Sequence, residues 1–415
     1  MMVAPLHCYG SRTNQVTVKL ERPSTDRSLS SPSGIPTGDD GSTIPFNSLC
    51  GTLASLADLP NELLDHVLEF LDGQCPSERN WHQRPALDIA GSARTDVKSL
   101  SLTSKSIRAL ALKRLFAHVC LDPNQSPAFL GFVDRYALAP RVQSILARMT
   151  EPCRLILHPL WWARLLNAVP ALTFTIICPP YVFAEFASKS IVDVDSWAFN
   201  MPYQIIRFRQ SRSAAMQHTS FNDDHDLFSA RPWTEFSVNE GSCLKVYSQY
   251  EYFLRRTPSL MNALLLRPSP GLGAMLAKLE KFTYTAIFPF YNHVEDVLKN
   301  VRKMTSLQHL RFRLCPDPES SVIDDELADS KGHIDISDAW MEFNTAYTLV
   351  AHTARFLSVT YSLQEFQVED VSMEGIREGL IESLNGILDG NMSHQGDGLW
   401  GRIRSDVKHE QCVGE

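Results

Sequence analysis

Residues able to do chemistry are present in this 415-residue chain, yet they do not assemble into a catalytic pattern. The densest group is Asp223, Asp224, His225 and Asp226, four metal-ligand types in a row after the polar stretch SRSAAMQHTSFN. A metal site needs ligands that converge from several directions and neighbours that orient them, so adjacent residues in a hydrophilic stretch read as a solvated loop. Thirteen histidines stand without a matched nucleophile, so no Ser–His or Cys–His arrangement is assigned. The phosphate-cradling GxxxxGKS/T loop, the GxSxG elbow, the GxGxxG turn and the HExxH helix are absent from the sequence. No catalytic residue, metal or cofactor is assigned, and the chain is read as a non-enzyme.

Composition narrows the classes further. With 44% hydrophobic residues over this length the chain buries a large core and exceeds what one small module needs. A net charge of −8, with no stripe of Lys and Arg, argues against nucleic acid as a partner, because phosphate neutralisation needs clustered cations. The nine cysteines are scattered, odd in number and free of any CxxC pair, as expected of reduced thiols in the cytoplasm and/or nucleus. The first ten residues, MMVAPLHCYG, lack the charged start and sustained apolar run of a secretory signal. No apolar span reaches membrane length, so no membrane partner is expected.

Two kinds of element must then position whatever this chain binds. The first is helical. Asp58 and Pro60 suit a helix start, and Leu63, Leu64, Val67, Leu68 and Leu71 follow at helical spacing, with Glu62, Asp65, His66 and Glu69 mostly on the other side. Asp72 and Gly73 end that helix. A second block has Val97, Leu100 and Leu102 leading into Ile107, Leu110, Ala111 and Leu115, with Lys105, Arg108, Lys113 and Arg114 on the wet side.

The second kind is a series of short β-branched or aromatic runs: PRVQSILA from Pro140, PALTFTII from Pro170, PYQIIRFR from Pro202, TEFSVNE from Thr234, KLEKFTYT from Lys278, SLQHLRFR from Ser306, HIDIS from His333 and SLQEFQVE from Ser362. Leu279, Leu307 and Leu363 lie 28 and then 56 residues apart, one interval and then two, with the run at His333 near the skipped step. Residues 279–314 spell strand, helix, strand, with Val294, Val297, Leu298 and Val301 on one side of the helix. Such alternation favours a parallel sheet in an α/β fold, and the spacing resembles an irregular leucine-rich repeat. An irregular α/β domain with evenly spaced strands is the alternative.

The helical blocks LADLPNELLDHVLEFL at 56–71 and VKSLSLTSKSIRALALKRLFAHVCL at 97–121 resemble an F-box: a Leu-Pro opening, Glu-Leu-Leu one residue later, and an LSLTSKSIRALA block ending in LF with a β-type tail. Two departures are visible. An insertion at about 72–96 replaces a short connection, which loop-closure entropy tolerates, and Ile107 stands where many members carry tryptophan. The whole is similar to fungal F-box proteins with a divergent F-box ahead of a leucine-rich-repeat-like region.

That resemblance implies a small all-α module followed by a strand-helix solenoid. It also implies the job of substrate receptor in an SCF-type ubiquitin ligase. Leu59, Pro60, Glu62, Leu63, Leu64, Val67 and Leu68 would then contact the Skp-family adaptor and, through it, a cullin. An unidentified target protein would be held by residues 122–390. Two alternatives stay open, an F-box scaffold acting outside a ligase and an enzyme or ligand-binding α/β domain with a non-functional helical hairpin.

Aromatic side chains on loops are frequent binding hot spots. Trp161, Trp162, Trp233, Tyr250, Tyr252 and Phe253 read as packing. In IFPFYNHVED, Pro289 and Asn292 mark a turn, so Phe288, Phe290, Tyr291 and His293 are the candidate target-binding residues. Residues 1–50 read as a disordered leader, 51–121 as the F-box, 316–332 as an acidic surface loop and 391–415 as a flexible tail.

Overall fold

A period of two, apolar then polar, runs through the strand-forming segments and fixes which way each side chain points. The computed structural model describes residues 56, 59–72, 76–89, 95–149, 160–186, 202–213, 226–248, 259, 261, 264, 269–330 and 333–403. The leader at 1–50, together with Asp58, Asp223, Asp224, His225, Tyr250, Tyr252 and Phe253, lies outside the described residues.

The strands β1 (His118–Leu121), β2 (Ser144–Arg148), β3 (Thr173–Cys178), β4 (Gln204–Arg209), β5 (Glu235–Ser242), β6 (Lys281–Ile287), β7 (His309–Arg313) and β8 (Glu365–Val368) lie side by side in chain order, followed by β10 (Leu399–Arg402) and then β9 (Met392–Gly396). The neighbours β1 to β3 and β5 to β8 are parallel, β4 is antiparallel to both its neighbours, and β9 and β10 close the far edge as an antiparallel hairpin. The fold is therefore mixed α/β, built on one ten-stranded sheet.

Register explains the core. Ile145, Phe174, Phe208, Phe236, Phe282, Leu310, Phe366 and Trp400 are paired strand to strand across the sheet, and all are buried. A second row runs from Leu121 through Ala147, Ile176, Ile206, Val238, Tyr284 and Phe312 to Val368. Rings stack along the first row, with centroids 5.2 Å apart for Phe208 and Phe236 and 6.0 Å for Phe236 and Phe282. Burying each large side chain is worth about 1.5–3 kcal/mol, so these rows dominate the cohesion of the sheet.

Helices α5 (Ser126–Arg135), α6 (Trp161–Ala168), α7 (Pro180–Phe186), α8 (Pro270–Lys278), α9 (Tyr291–Val301), α11 (Ile336–Thr360) and α12 (Glu374–Leu388) contribute buried residues to the same core. Trp161, Trp162 and Trp233 sit in it, as their packing role requires.

Before the sheet, α1 (Asn61–Asp72), α3 (Thr95–Ser101) and α4 (Lys105–Leu115) pack on one another through Leu68, Val97 and Ala111, with Leu71, Leu100, Leu110 and Leu115 around them. Ser104 caps α4 by accepting from the Ile107 amide at 3.1 Å. Arg114 on α4 reaches Asp65 and Glu69 on α1 at 3.3 and 3.6 Å. Between α1 and α3 lies a short helix, α2 (Pro76–Arg79).

Leu279, Leu307 and Leu363 are all buried and stand two residues ahead of β6, β7 and β8, whose first residues Lys281, His309 and Glu365 are in register. The intervals of 28 and 56 are thus a register effect. Three expectations need correction. The run at His333 is not a strand: Ile336 opens α11, whose 25 residues fill the doubled interval, because Ala339, Phe343, Ala346, Tyr347 and Val350 recur at helical spacing. The acidic stretch at 316–332 holds α10 (Val322–Asp329), with Val322 and Glu326 buried. The proposed tail is ordered as β9 and β10 as far as residue 403, because Trp400 packs against Phe366 and donates to Asn385 Oδ1 at 2.8 Å. Gly396, Asp397 and Gly398 make its turn with φ of 104°, 46° and 69°. Among the described residues no helix is long and apolar enough to cross a membrane.

Candidate protein-interaction surfaces

The first surface is one side of α1. Its opening turn forms where the Leu64 amide donates to the Pro60 carbonyl at 3.1 Å. Leu64 and Leu68 then point inward and are buried, whereas Leu63 is 49% exposed and Phe70 is 89% exposed. Residues seven apart return to the same helix face, so Leu63 and Phe70 form an outward apolar stripe with half-buried Val67 between them.

Of the seven residues expected to touch an adaptor, Pro60, Glu62 and Leu63 are exposed, while Leu59 and Val67 are half-buried. Leu64 and Leu68 are removed from the set: both are buried, and Leu68 packs on Val97 and Ala111 of the neighbouring helices. Sequence reasoning missed Phe70, although its spacing from Leu63 was a usable signal. Leu102, read as leading into the second helix, is also exposed.

The second surface is the sheet face opposite the apolar rows. One registered row there runs Thr173, Arg209, Glu235, Lys281, His309, Glu365, and the next runs Thr175, Arg207, Ser237, Thr283, Arg311, Gln367. Charges alternate and pair laterally: Glu235 with Arg209 at 3.9 Å and Lys281 at 3.5 Å, His309 with Glu365 at 2.8 Å, and Arg311 with Glu369 at 3.2 Å. Exposed pairs of this kind add little stability. Arg209, Lys281 and Arg311 are exposed in these rows, whereas Thr175 and Ser237 are buried.

The aromatic turn is a correction. Phe288 and Phe290 are buried, and so is His293; only Tyr291 is accessible, at 42%. Phe288 adopts φ 48° at the end of β6, which swings its ring onto Trp340 of α11 at 4.8 Å. Phe290 meets Tyr247 edge-on at 5.5 Å. The turn joins a central strand to a helix lying on the core side, so its aromatics fill that junction instead of facing solvent.

His293 belongs to a buried polar cluster around Glu240. The carboxylate accepts from Ser259 Oγ at 2.5 Å, Tyr284 OH at 2.5 Å and the Met261 amide at 3.3 Å, and lies 2.6 Å from His293 Nε2. Burial pushes the Glu240 carboxyl up, but the adjacent His293 and the hydrogen bonds from His293, Ser259 and Tyr284 outweigh it and hold the group below its ordinary value. The residue types could suggest a hydrolase. The order is not that of a Ser–His–carboxylate relay, since the carboxylate sits between serine and histidine and the serine hydroxyl donates to it directly. The cluster is a structural pin joining β5, β6 and α9.

Asp370 plays the same part at the exits of β7 and β8. It accepts from the Leu314 amide at 2.6 Å, the Cys315 amide at 3.3 Å and the Tyr347 hydroxyl, while burial raises its pKa. Asp226, the described member of the ligand-like run, accepts from the Phe228 amide and from Ser269 Oγ, which fixes a turn. No group of three or more His, Cys, Asp or Glu side chains converges as a metal site among the described residues. Comparison with family models, with curated proteins and with solved structures finds no match to this chain.

Proposed function

We propose that this chain is the substrate-recognition subunit of an SCF-type ubiquitin ligase, an F-box protein that docks on a Skp-family adaptor and holds a target on its sheet. The reading is carried by the outward stripe of Leu63 and Phe70 on a helix whose other leucines are committed to the interior. Large apolar side chains left in water at this spacing mark a protein contact. The three packed helices α1, α3 and α4 are the F-box in this reading, with buried Ile107 taking the place of the tryptophan of other members. Strands laid side by side in chain order support an irregular leucine-rich-repeat-like solenoid for the rest. The target lies on the polar face formed by Arg209, Lys281, Arg311 and their neighbours. The chain positions and does not catalyse. Affinity purification of the chain should recover adaptor and cullin together; adaptor without cullin would favour a scaffold acting outside a ligase.

A further inference from the structure

The insertion at about 72–96, an oddity of the helical module, does not hang free. Residues 77–89 cross the polar face of the sheet. Trp81 and Ile89 pack on Leu146, Ile177 and Ile205, the apolar members of that face. The Arg207 guanidinium lies over the Trp81 indole, 4.3 Å from its centroid. Asn239 Nδ2 donates to the carbonyls of Trp81 at 2.6 Å and Gln83 at 2.9 Å, and its own Oδ1 accepts from the Gly241 amide at 2.9 Å, which fixes the amide orientation toward the segment. The sheet therefore reads a ring and two backbone carbonyls two residues apart. Those are the features of a turn, and the chain here makes one: the Trp81 amide donates to the Glu78 carbonyl at 3.3 Å and the Gln83 amide to the Asn80 carbonyl at 3.0 Å.

The fit is incomplete. Among the described residues no acceptor reaches the buried Trp81 indole N–H, and none pairs with the buried hydroxyl of Thr285, which is in register with Asn239. Stranded polar atoms weaken a contact. Further anchors are long: ion pairs of His82 with Asp317 at 3.4 Å, Arg84 with Glu326 at 3.8 Å and Glu78 with Arg209 at 3.9 Å, and a hydrogen bond from Arg148 to the Leu87 carbonyl at 3.4 Å.

We propose that residues 77–89 are an intramolecular ligand, and that a target displaces them by presenting a polypeptide turn with an aromatic side chain to the recess formed by Arg207, Asn239, Ile177 and Ile205. The proposal rests on the reading that this sheet face holds the target, and supplies its regulation and ligand class. A tethered ligand competes at high effective concentration, so the free recess binds more tightly than the covered one.

The test uses the full chain with residues 77–89 replaced by a Gly/Ser linker of equal length, and a fluorescent peptide of the native 77–89 sequence. The peptide is expected to bind the replaced chain saturably, at least tenfold more weakly to the unmodified chain, and at least tenfold more weakly when it carries Trp81→Ala. Equal binding to both chains, or none to a replaced chain that still binds adaptor, overturns the proposal. Should the replaced chain fail to fold, hydrogen exchange on the unmodified chain decides: amides in 82–88 at least tenfold faster than those of β4 and β5 support exchange, and equal protection overturns it. Loss of adaptor binding with peptide binding intact would instead sink the ligase reading.

Discussion

His293 Nε2 and Glu240 Oε2 lie 2.6 Å apart with both side chains sealed from solvent, so α9 is fastened to β5 through a buried charge. Removing one partner of such a pair leaves the other uncompensated, which costs about 3–5 kcal/mol. His293→Ala is expected to lower unfolding free energy by about that amount in urea titration. A change below 0.5 kcal/mol would mean that the pair is not formed.

The same carboxylate sets a pH dependence. Its folded pKa is below its ordinary value, so its stabilisation is fully present above the unfolded value of about 4.3 and is lost as pH falls through the folded pKa. Buried Asp370 and Glu326 are shifted upward by burial, so their contribution weakens as pH rises from their unfolded values through their raised folded ones. Net slope alone is therefore uninformative. The difference between the unmodified chain and Glu240→Gln isolates the term: the unmodified chain should lose stability relative to the variant as pH falls below about 4.3.

On α1 the two kinds of leucine should separate cleanly. Leu68→Ala is expected to destabilise by about 2–5 kcal/mol because it opens a cavity between α1, α3 and α4. Leu63→Ala, on the exposed side, should change stability by less than about 0.5 kcal/mol. Thermal or urea unfolding of both distinguishes them, and similar losses would contradict the assignment of inner and outer faces.

The hairpin of β9 and β10 predicts intolerance at a glycine. A Cβ at Gly398 would meet the Val368 carbonyl oxygen at 2.2 Å, and φ there is +69°. Gly398→Ala should cost at least about 1–3 kcal/mol and lower the melting temperature by several degrees. An unchanged melting temperature would show that the hairpin is not seated on β8.

How much of this was legible is clearest from particular residues. Strand positions from Ser144 to Val368 followed from short β-branched and aromatic runs, the residue types that fit a pleated, packed surface. The run at His333 has the same look over five residues, but Ile336 is continued by apolar residues at helical spacing, and the longer period wins. Trp400 was misjudged because its neighbours are polar; its burial comes from register with Phe366, a non-local pairing that no local pattern encodes. Phe288 and Phe290 differ from expectation for a related reason, as turn residues look exposed until the distant residues that cover them are known, here Trp340 of α11 over Phe288 and Tyr247 against Phe290. Alternation does not tell Leu63 from Leu64, because which of two adjacent leucines faces out depends on where α3 and α4 sit.

Titration of purified Skp-family adaptor against the full chain, with and without Leu63→Ala and Phe70→Ala, tests the central claim most directly. Each 1.4 kcal/mol is tenfold in affinity, and burying each side chain is worth about 1.5–3 kcal/mol, so the double variant should bind at least about a hundredfold more weakly while melting within a few degrees of the unmodified chain. Equal adaptor affinity for the two proteins would contradict the account.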